Sequence, residues 1–340
     1  MDLQKEFIEF HDNIKLEDEN ETLREKRDIL LNKLKKNISD EAPSYTHFNQ
    51  GSYAMGTGVK PEDGDYDIDV GLKFDIDKDD YSDPVKVKKW VRDALEGHTK
   101  SVKIRRSCVT VTYQEDGEDA YHVDFAVYAS NNPDGKMYIA KGKENSDIDK
   151  RIWEISCPQE LISEIKNKFS DSKDAQQFRR CIRYLKKWKN HKFSSNGNEA
   201  PTGIALTILA YNYFLPYKTV DYLTNASEYN DFFALKSMVE NIKNAFTLKY
   251  DTESGKYLHS IVLKLIVEPW NDLFEKMTAK QMDDFYNKIE SMNKTLEEVD
   301  KEEKRNKACE KLQSIFGEDF PIKYDRSLVG TSESACYGTE

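Results

Sequence analysis

Along the first stretch of the chain, Leu30, Leu34 and Ile38 recur every four positions, and residues 2–37 contain neither Gly nor Pro. That spacing predicts one helix over 2–37, ended by Ala42-Pro43-Ser44. Residues 45–50 read as a short strand running into Gly51-Ser52, and a Gly- and Pro-containing connection follows from Gly56 to Gly64. The period then becomes two. Ile68, Val70, Leu72 and Phe74 alternate with Asp67, Asp69, Lys73 and Asp75, which predicts a half-buried strand over 66–75. Pro84 opens a helix over 85–97, with Val87, Val91 and Leu95 four apart. Stretches 101–113 and 121–128 are rich in β-formers and read as a hairpin around Glu115-Asp116-Gly117-Glu118, with a further strand at 136–141. From Pro158 onward the period is helical, predicting helices near 158–169, 172–191, 202–215, 228–246, 257–275, 279–293 and 296–315. A mixed sheet lobe is thus followed by a helical lobe, with divisions expected at 1–157 and 158–325 and a flexible tail at 326–340.

Charge narrows the partners. The 340 residues carry 51 Lys plus Arg against 62 Asp plus Glu, a formal net charge of −11. A protein that grips a long nucleic acid needs a basic face, so no stable nucleic-acid partner is expected. A small anionic substrate carried with metal ions is compatible with an acidic chain, because the metals supply the positive charge. The five cysteines are scattered, with no CxxC pair, and read as reduced thiols of a cytoplasmic protein. The N-terminus MDLQKEFIEF has no signal-peptide pattern. The longest apolar stretch, 203–215, is shorter than the ~20 residues a bilayer needs and reads as a buried helix, so no membrane is expected.

The candidate chemistry lies on the alternating strands. Asp67 and Asp69 are two apart and share one strand face. In His122-Val123-Asp124-Phe125-Ala126-Val127, Asp124 is again the polar position among apolar ones. If the two strands are neighbours, three carboxylates converge. Like charges at one spot repel unless a cation sits between them, and hard oxygen ligands suit Mg²⁺. On the carboxylates alone, an ordinary acidic surface is the better account of a DxD in so acidic a chain. The run Asp63 to Asp69 also imitates a calcium loop. It fails that template, because its sixth position is Ile68 rather than Gly and its twelfth is Phe74 rather than Glu. Asp63 and Asp65 therefore read as loop residues. Gly51-Ser52 supplies a backbone that a phosphate can approach and a hydroxyl beside it, the makings of an anion nest, although an ordinary turn would look the same.

The order of these pieces carries a resemblance. GSYAMGTGVK, then DYDIDVGLKF, then HVDFAV resembles the polymerase-β-like nucleotidyltransferase core, over residues 45–128 by motif and to about residue 320 by layout. More closely, it is similar to the CD-NTases, the cGAS/DncV-like and oligoadenylate-synthase-like nucleotidyltransferases. The resemblance implies an α+β fold: a mixed β-sheet with helices, a helical C-terminal lobe, and an active site in the cleft between the two lobes. It implies two Mg²⁺ ions, for which Mn²⁺ can substitute, on Asp67, Asp69 and Asp124, with Asp124 completing the ion at the acceptor hydroxyl. Gly51 and Ser52 would hold the donor triphosphate, and Thr57 would order the loop after them. Arg183-Tyr-Leu-Lys186-Lys187-Trp188 is similar to the family helix whose lysine reaches the triphosphate tail; Lys186 is the first choice, Lys187 its competitor, and a solvated basic helix face is the alternative to both. Thr202 stands where the family has a small hydroxyl residue near the phosphates, and an N-cap explains it equally well.

The activity so implied is transfer of a nucleoside monophosphate from an NTP, ATP among them, onto a hydroxyl. The implied product is a cyclic di- or trinucleotide second messenger in bacterial antiphage signalling of the CBASS type, read by a downstream effector. Two other readings stand beside it: modification of an RNA end, protein or small molecule, and a catalytically silent NTP-binding module. Lys103, Arg105 and Arg106 fit either an acceptor contact or plain surface. The tail fits either disorder or a C-terminal conjugation partner.

Overall fold

The computed structural model describes residues 1–16, 19–61, 66–99, 101–115, 118–194, 199–221, 223–224 and 226–324. Asp63 and Asp65, the Asp116-Gly117 turn and the tail lie outside them. In chain order the elements are α1 (Gln4–Ile14), α2 (Glu19–Asn37), β1 (Tyr45–Asn49), α3 (Gly51–Met55), β2 (Tyr66–Phe74), α4 (Pro84–Leu95), β3 (Ser101–Ile104), β4 (Val109–Glu115), β5 (Glu118–Ala129), β6 (Tyr138–Lys141) and β7 (Ile152–Ile155). There follow α5 (Pro158–Lys166), α6 (Ser172–Lys192), α7 (Gly203–Tyr213), β8 (Lys218–Val220), β9 (Ser227–Tyr229), α8 (Asp231–Asn244), β10 (Thr247–Asp251), β11 (Lys256–Ser260), α9 (Ala279–Lys301) and α10 (Arg305–Phe316).

A seven-stranded sheet runs β1-β2-β5-β4-β3, with β6 joined to β5 and β7 to β6. The β2–β5 pair is parallel, and the other neighbours are antiparallel. Alternation decides which face is covered. Ile68, Val70, Leu72 and Phe74 of β2, with Val123, Phe125 and Val127 of β5, meet Leu23, Leu30 and Leu34 of α2 and Val87, Val91 and Leu95 of α4 in one buried core. The polar positions of the same strands are left on the opposite face. A second core joins α6 to α10 in the helical lobe and takes in Phe7, Phe10 and Ile14 of α1. The fold is α+β, a mixed sheet followed by helices. Among the described residues no helix is long and apolar enough to cross a membrane.

Several boundaries depart from the sequence expectation. The N-terminal helix is two helices. At Lys15 the backbone bridges to Val59, and the Lys60 amide donates to the Ile14 carbonyl at 2.8 Å, so strand-like pairing replaces the next helical turn. The break lets α1 bury its apolar face in the helical core while α2 packs on the sheet. The expected helix 257–275 is absent. Its first residues form β11, paired antiparallel with β10 around Gly255 at φ +67°, a left-handed conformation that favours glycine. The rest is irregular: Pro269 has no amide to donate, and Asp272 Oδ1 accepts from the Leu263 and Phe274 amides instead. The stretch 101–113 is two strands, β3 and β4, closed by Arg105 N donating to Cys108 O at 2.9 Å. The expected helices 279–293 and 296–315 are divided later, because α9 runs on to Lys301.

Candidate active site

The parallel β2–β5 register sets Asp69 directly opposite Asp124 and Asp67 opposite His122. One carboxylate oxygen from each of Asp67, Asp69 and Asp124 lies within 4.8 Å of the other two, the one such metal-competent cluster among the described residues. Asp67 is exposed, whereas Asp69 and Asp124 are partly buried. Asp69 is therefore less open than a solvent-facing strand position would be. Burial first, and the Asp124 charge second, push its carboxyl up to about 6, against the opposing pull of the Lys186 ammonium. Asp124 Oδ1 is buried with no hydrogen-bond partner. A buried acceptor without a donor is costly, and a cation would satisfy it while neutralising the repulsion. The donor set is all carboxylate oxygen, with a nearby thiol whose proton is held fast. The Cys108 thiol, 3.5 Å from Thr110 Oγ1, is pushed up to about 12, mainly by burial and then by the Asp124 charge. Hard divalent ions such as Mg²⁺ fit this set better than soft ones.

Beside the carboxylates, β1 ends at Gln50 and the chain turns into α3. The Gln50 amide donates to the Asp69 carbonyl at 3.0 Å, and Tyr128 Oη donates to Gln50 Oε1 at 2.8 Å. Gly51 sits at φ +67°, so close to the DxD that a Cβ there would lie 1.7 Å from Asp69 Oδ2. The Gly-Ser step is thus the first turn of a five-residue helix rather than an open loop. Gly56, at φ +66°, reverses the chain after it, and the Thr57 amide donates back to Ser52 O at 2.9 Å.

Helix α6 meets this reversal. Lys186 is buried, and its Nζ donates to both the carbonyl and the hydroxyl of Thr57 at 3.1 Å. Burial and then its cationic neighbours Arg183 and Lys189 push its ammonium down to about 7, opposed by Asp69. Lys187 points elsewhere, to Asp319 at 2.5 Å. Thr57 is fully buried under Lys186, so its hydroxyl faces the helix. Thr202 is exposed and caps α7, accepting from the Ala205 amide at 3.3 Å. Its neighbour Gly203 lies against the Lys186 side chain. The structure therefore brings Gly51, Asp67, Asp69, Asp124 and Lys186 to one place, with Ser52 and Thr57 on the adjoining reversal, and leaves Lys187 outside it. Residues that sequence reasoning did not assign are Gln50, Cys108, Thr110 and the role of Arg183. Of these, only Arg183 carried a signal, being three residues before Lys186 and hence on the same helix face.

The chain is similar to known proteins in sequence over its sheet region and in fold over most of its length. Residues 45–128 match the family described as cyclic GMP-AMP synthase DncV-like, nucleotidyltransferase domain. A cyclic GMP-AMP synthase of Escherichia albertii is 27% identical over 169 residues, which are 47% of this chain and 35% of that protein; the match thus spans about a third of the relative's length. The Vibrio cholerae DncV cyclic AMP-GMP synthase superposes with a TM-score of 0.65 at 14% identity, covering 94% of this chain and 97% of that one. The Bradyrhizobium diazoefficiens CD-NTase CdnG, solved in complex with GTP, superposes with a TM-score of 0.66 at 13% identity, covering 92% and 94%. At these identities the two solved structures establish the shared fold.

Proposed function

We propose that this chain, a CD-NTase of the polymerase-β-like nucleotidyltransferase superfamily, joins NTPs into a cyclic di- or trinucleotide with release of pyrophosphate. The observation that carries the reading is the pairing of Asp69 opposite Asp124 across parallel strands, with Asp67 within reach and Gly51 against them. In this reading Asp67 and Asp69 would hold two divalent ions, Mg²⁺ or Mn²⁺, with Asp124 as the third ligand on the side of the acceptor hydroxyl. When bound, such ions neutralise the charge that builds on the attacking and departing oxygens. Gly51 offers its unobstructed backbone and Ser52 its hydroxyl to the donor triphosphate. Lys186 contributes a point charge at the triphosphate tail, exchanging its Thr57 partners for phosphate oxygen. The acceptor hydroxyl oxygen bonds to the α-phosphorus, the bond to the pyrophosphate oxygen breaks, and the hydroxyl proton passes to the carboxylate cluster. The product would be read by a separate effector in antiphage signalling, the role the family membership favours.

The test is to incubate the nuclease-treated protein with each NTP and with all four together, in Mg²⁺ or Mn²⁺, and then add phosphatase. Product that survives supports a cyclic nucleotide, since a ring has no terminal phosphate. Product that phosphatase degrades would point to linear transfer, and no product under any combination would set the reading aside.

A further inference from the structure

Helix α6 holds three consecutive carbonyls of the reversal after α3. Arg183 donates from Nη2 to Gly56 O at 2.7 Å and from Nε to Gly58 O at 3.0 Å, and Lys186 takes Thr57 O between them. The remaining Arg183 nitrogen, Nη1, lies 3.1 Å from His11 Nε2 of α1. For His11 to accept there, its proton must sit on Nδ1, which lies 3.3 Å from Asp12 Oδ1. Each of the three guanidinium nitrogens is thus engaged, two of them by carbonyls two residues apart and the third by a ring on another helix.

Such a set of contacts suits a fork and not a point charge. An ammonium at 183 could reach one of the carbonyls; the planar guanidinium reaches both at once. The reversal it holds is tied in turn to the phosphate-binding end, because the Gly56 and Thr57 amides both donate back to Ser52 O. Ser52 Oγ also lies across from Gly58. Moving the Gly56–Gly58 carbonyls would therefore move Ser52, while Gly51 stays hemmed in by Asp69. Arg180, on the same helix, is committed to Asp231.

We propose that Arg183 is the positioning residue of the Gly-Ser segment, fixing Ser52 for the donor triphosphate through the Gly56 and Gly58 carbonyls, without itself touching nucleotide. The proposal rests on the functional reading above for the identity of the ligand, and not for the geometry. It separates from a direct charge effect through Arg183→Lys, which keeps the charge and loses the fork.

The experiment compares the wild-type chain with R183K, R183M and H11A by three measurements. These are hydrogen exchange of the amides in 51–58, titration with a nonhydrolysable GTP or ATP analogue in Mg²⁺, and turnover with KM and kcat resolved. R183K should speed exchange in 51–58 by about tenfold. It should raise the analogue Kd and the KM by about tenfold or more, with a smaller change in kcat. R183M should match R183K, and H11A should move exchange in the same direction by less. Wild-type exchange and affinity in R183K would overturn the proposal, as would R183K behaving like the wild type while R183M alone loses affinity. If R183M does not fold, R183K still decides. A wild-type protein that forms no product with any NTP would defeat the functional reading, while the exchange and analogue titrations would still judge Arg183.

Discussion

Asp231 and Asp69 are both withdrawn from water, and their surroundings treat them in opposite ways. Asp231, fully buried at the start of α8, accepts from Arg180 Nε at 2.5 Å and Nη2 at 2.8 Å, from Gln177 Nε2 at 3.1 Å and from Tyr184 Oη at 2.9 Å. Its charge is matched and its lone pairs are occupied. Asp69 instead faces a second carboxylate, and the buried Oδ1 of that neighbour, Asp124, has no donor. The first arrangement ties α6 and α8 together. The second is costly as it stands and becomes favourable only when positive charge arrives. Asp231 has its partners in place and serves the architecture, whereas the Asp69–Asp124 pair keeps a buried oxygen that a cation would satisfy.

Substitutions at the two centres should separate activity from stability. The largest expected effect is Asp67→Asn with Asp69→Asn, which should lower turnover by about a thousandfold or more, the scale of losing a charge-stabilising group. The melting temperature of the metal-free protein should hold or rise, since two repelling charges are removed. A steep fall in melting temperature would show these acids to be architectural after all. Asp231→Asn should do the reverse: a loss of about 3 kcal/mol in urea unfolding, because Arg180 is left buried with its partner neutralised. Retained stability would break the comparison from the other side.

A smaller effect distinguishes the neighbouring lysines. Lys186→Met should raise the KM for NTP by about tenfold while changing kcat less, as expected for charge felt in ground state and transition state alike. Lys187→Met should leave KM alone and cost about 1 kcal/mol or less through the lost Asp319 pair. Equal KM values in both variants would remove Lys186 from the site.

The smallest effect is linked to pH. Burial, and then the nearby Arg183 charge, push His11 down to about 4 from its ordinary 6.5. The folded protein therefore binds this proton less readily than the unfolded chain. The stability contribution is present above about pH 6.5 and is lost as pH falls through 4. Relative to His11→Gln, the wild type should lose about 1 kcal/mol by pH 5, a figure discounted for the part-exposed ring. Parallel stability curves for the two proteins would show that His11 protonates freely in the fold.

The sequence shows the two acids unequally well. Asp67, Asp69 and Asp124 stand out because period-two alternation marks β2 and β5 and assigns their polar positions to one face. That the two strands are neighbours, in a register that sets Asp69 opposite Asp124, is a tertiary fact that alternation alone does not contain. The Asp231 centre joins residues from α6 and α8 across a long sequence separation, and no local period marks it. The choice between Lys186 and Lys187 turns on which way α6 faces, and Leu185 and Trp188 do not decide that by themselves. The β10–β11 hairpin was hidden because its alternation is short and its apolar residues also satisfy a helical spacing.

Gly51 has a consequence for heredity. Any side chain at that position begins with a Cβ driven into the Asp69 carboxylate. A single base change in a glycine codon yields residues such as Ala, Ser, Val, Asp, Cys or Arg, and every one of them carries that atom. No graded series of milder changes is then reachable by point mutation at this codon: a lineage keeps the glycine, or it must remodel the aspartate beside it in the same step.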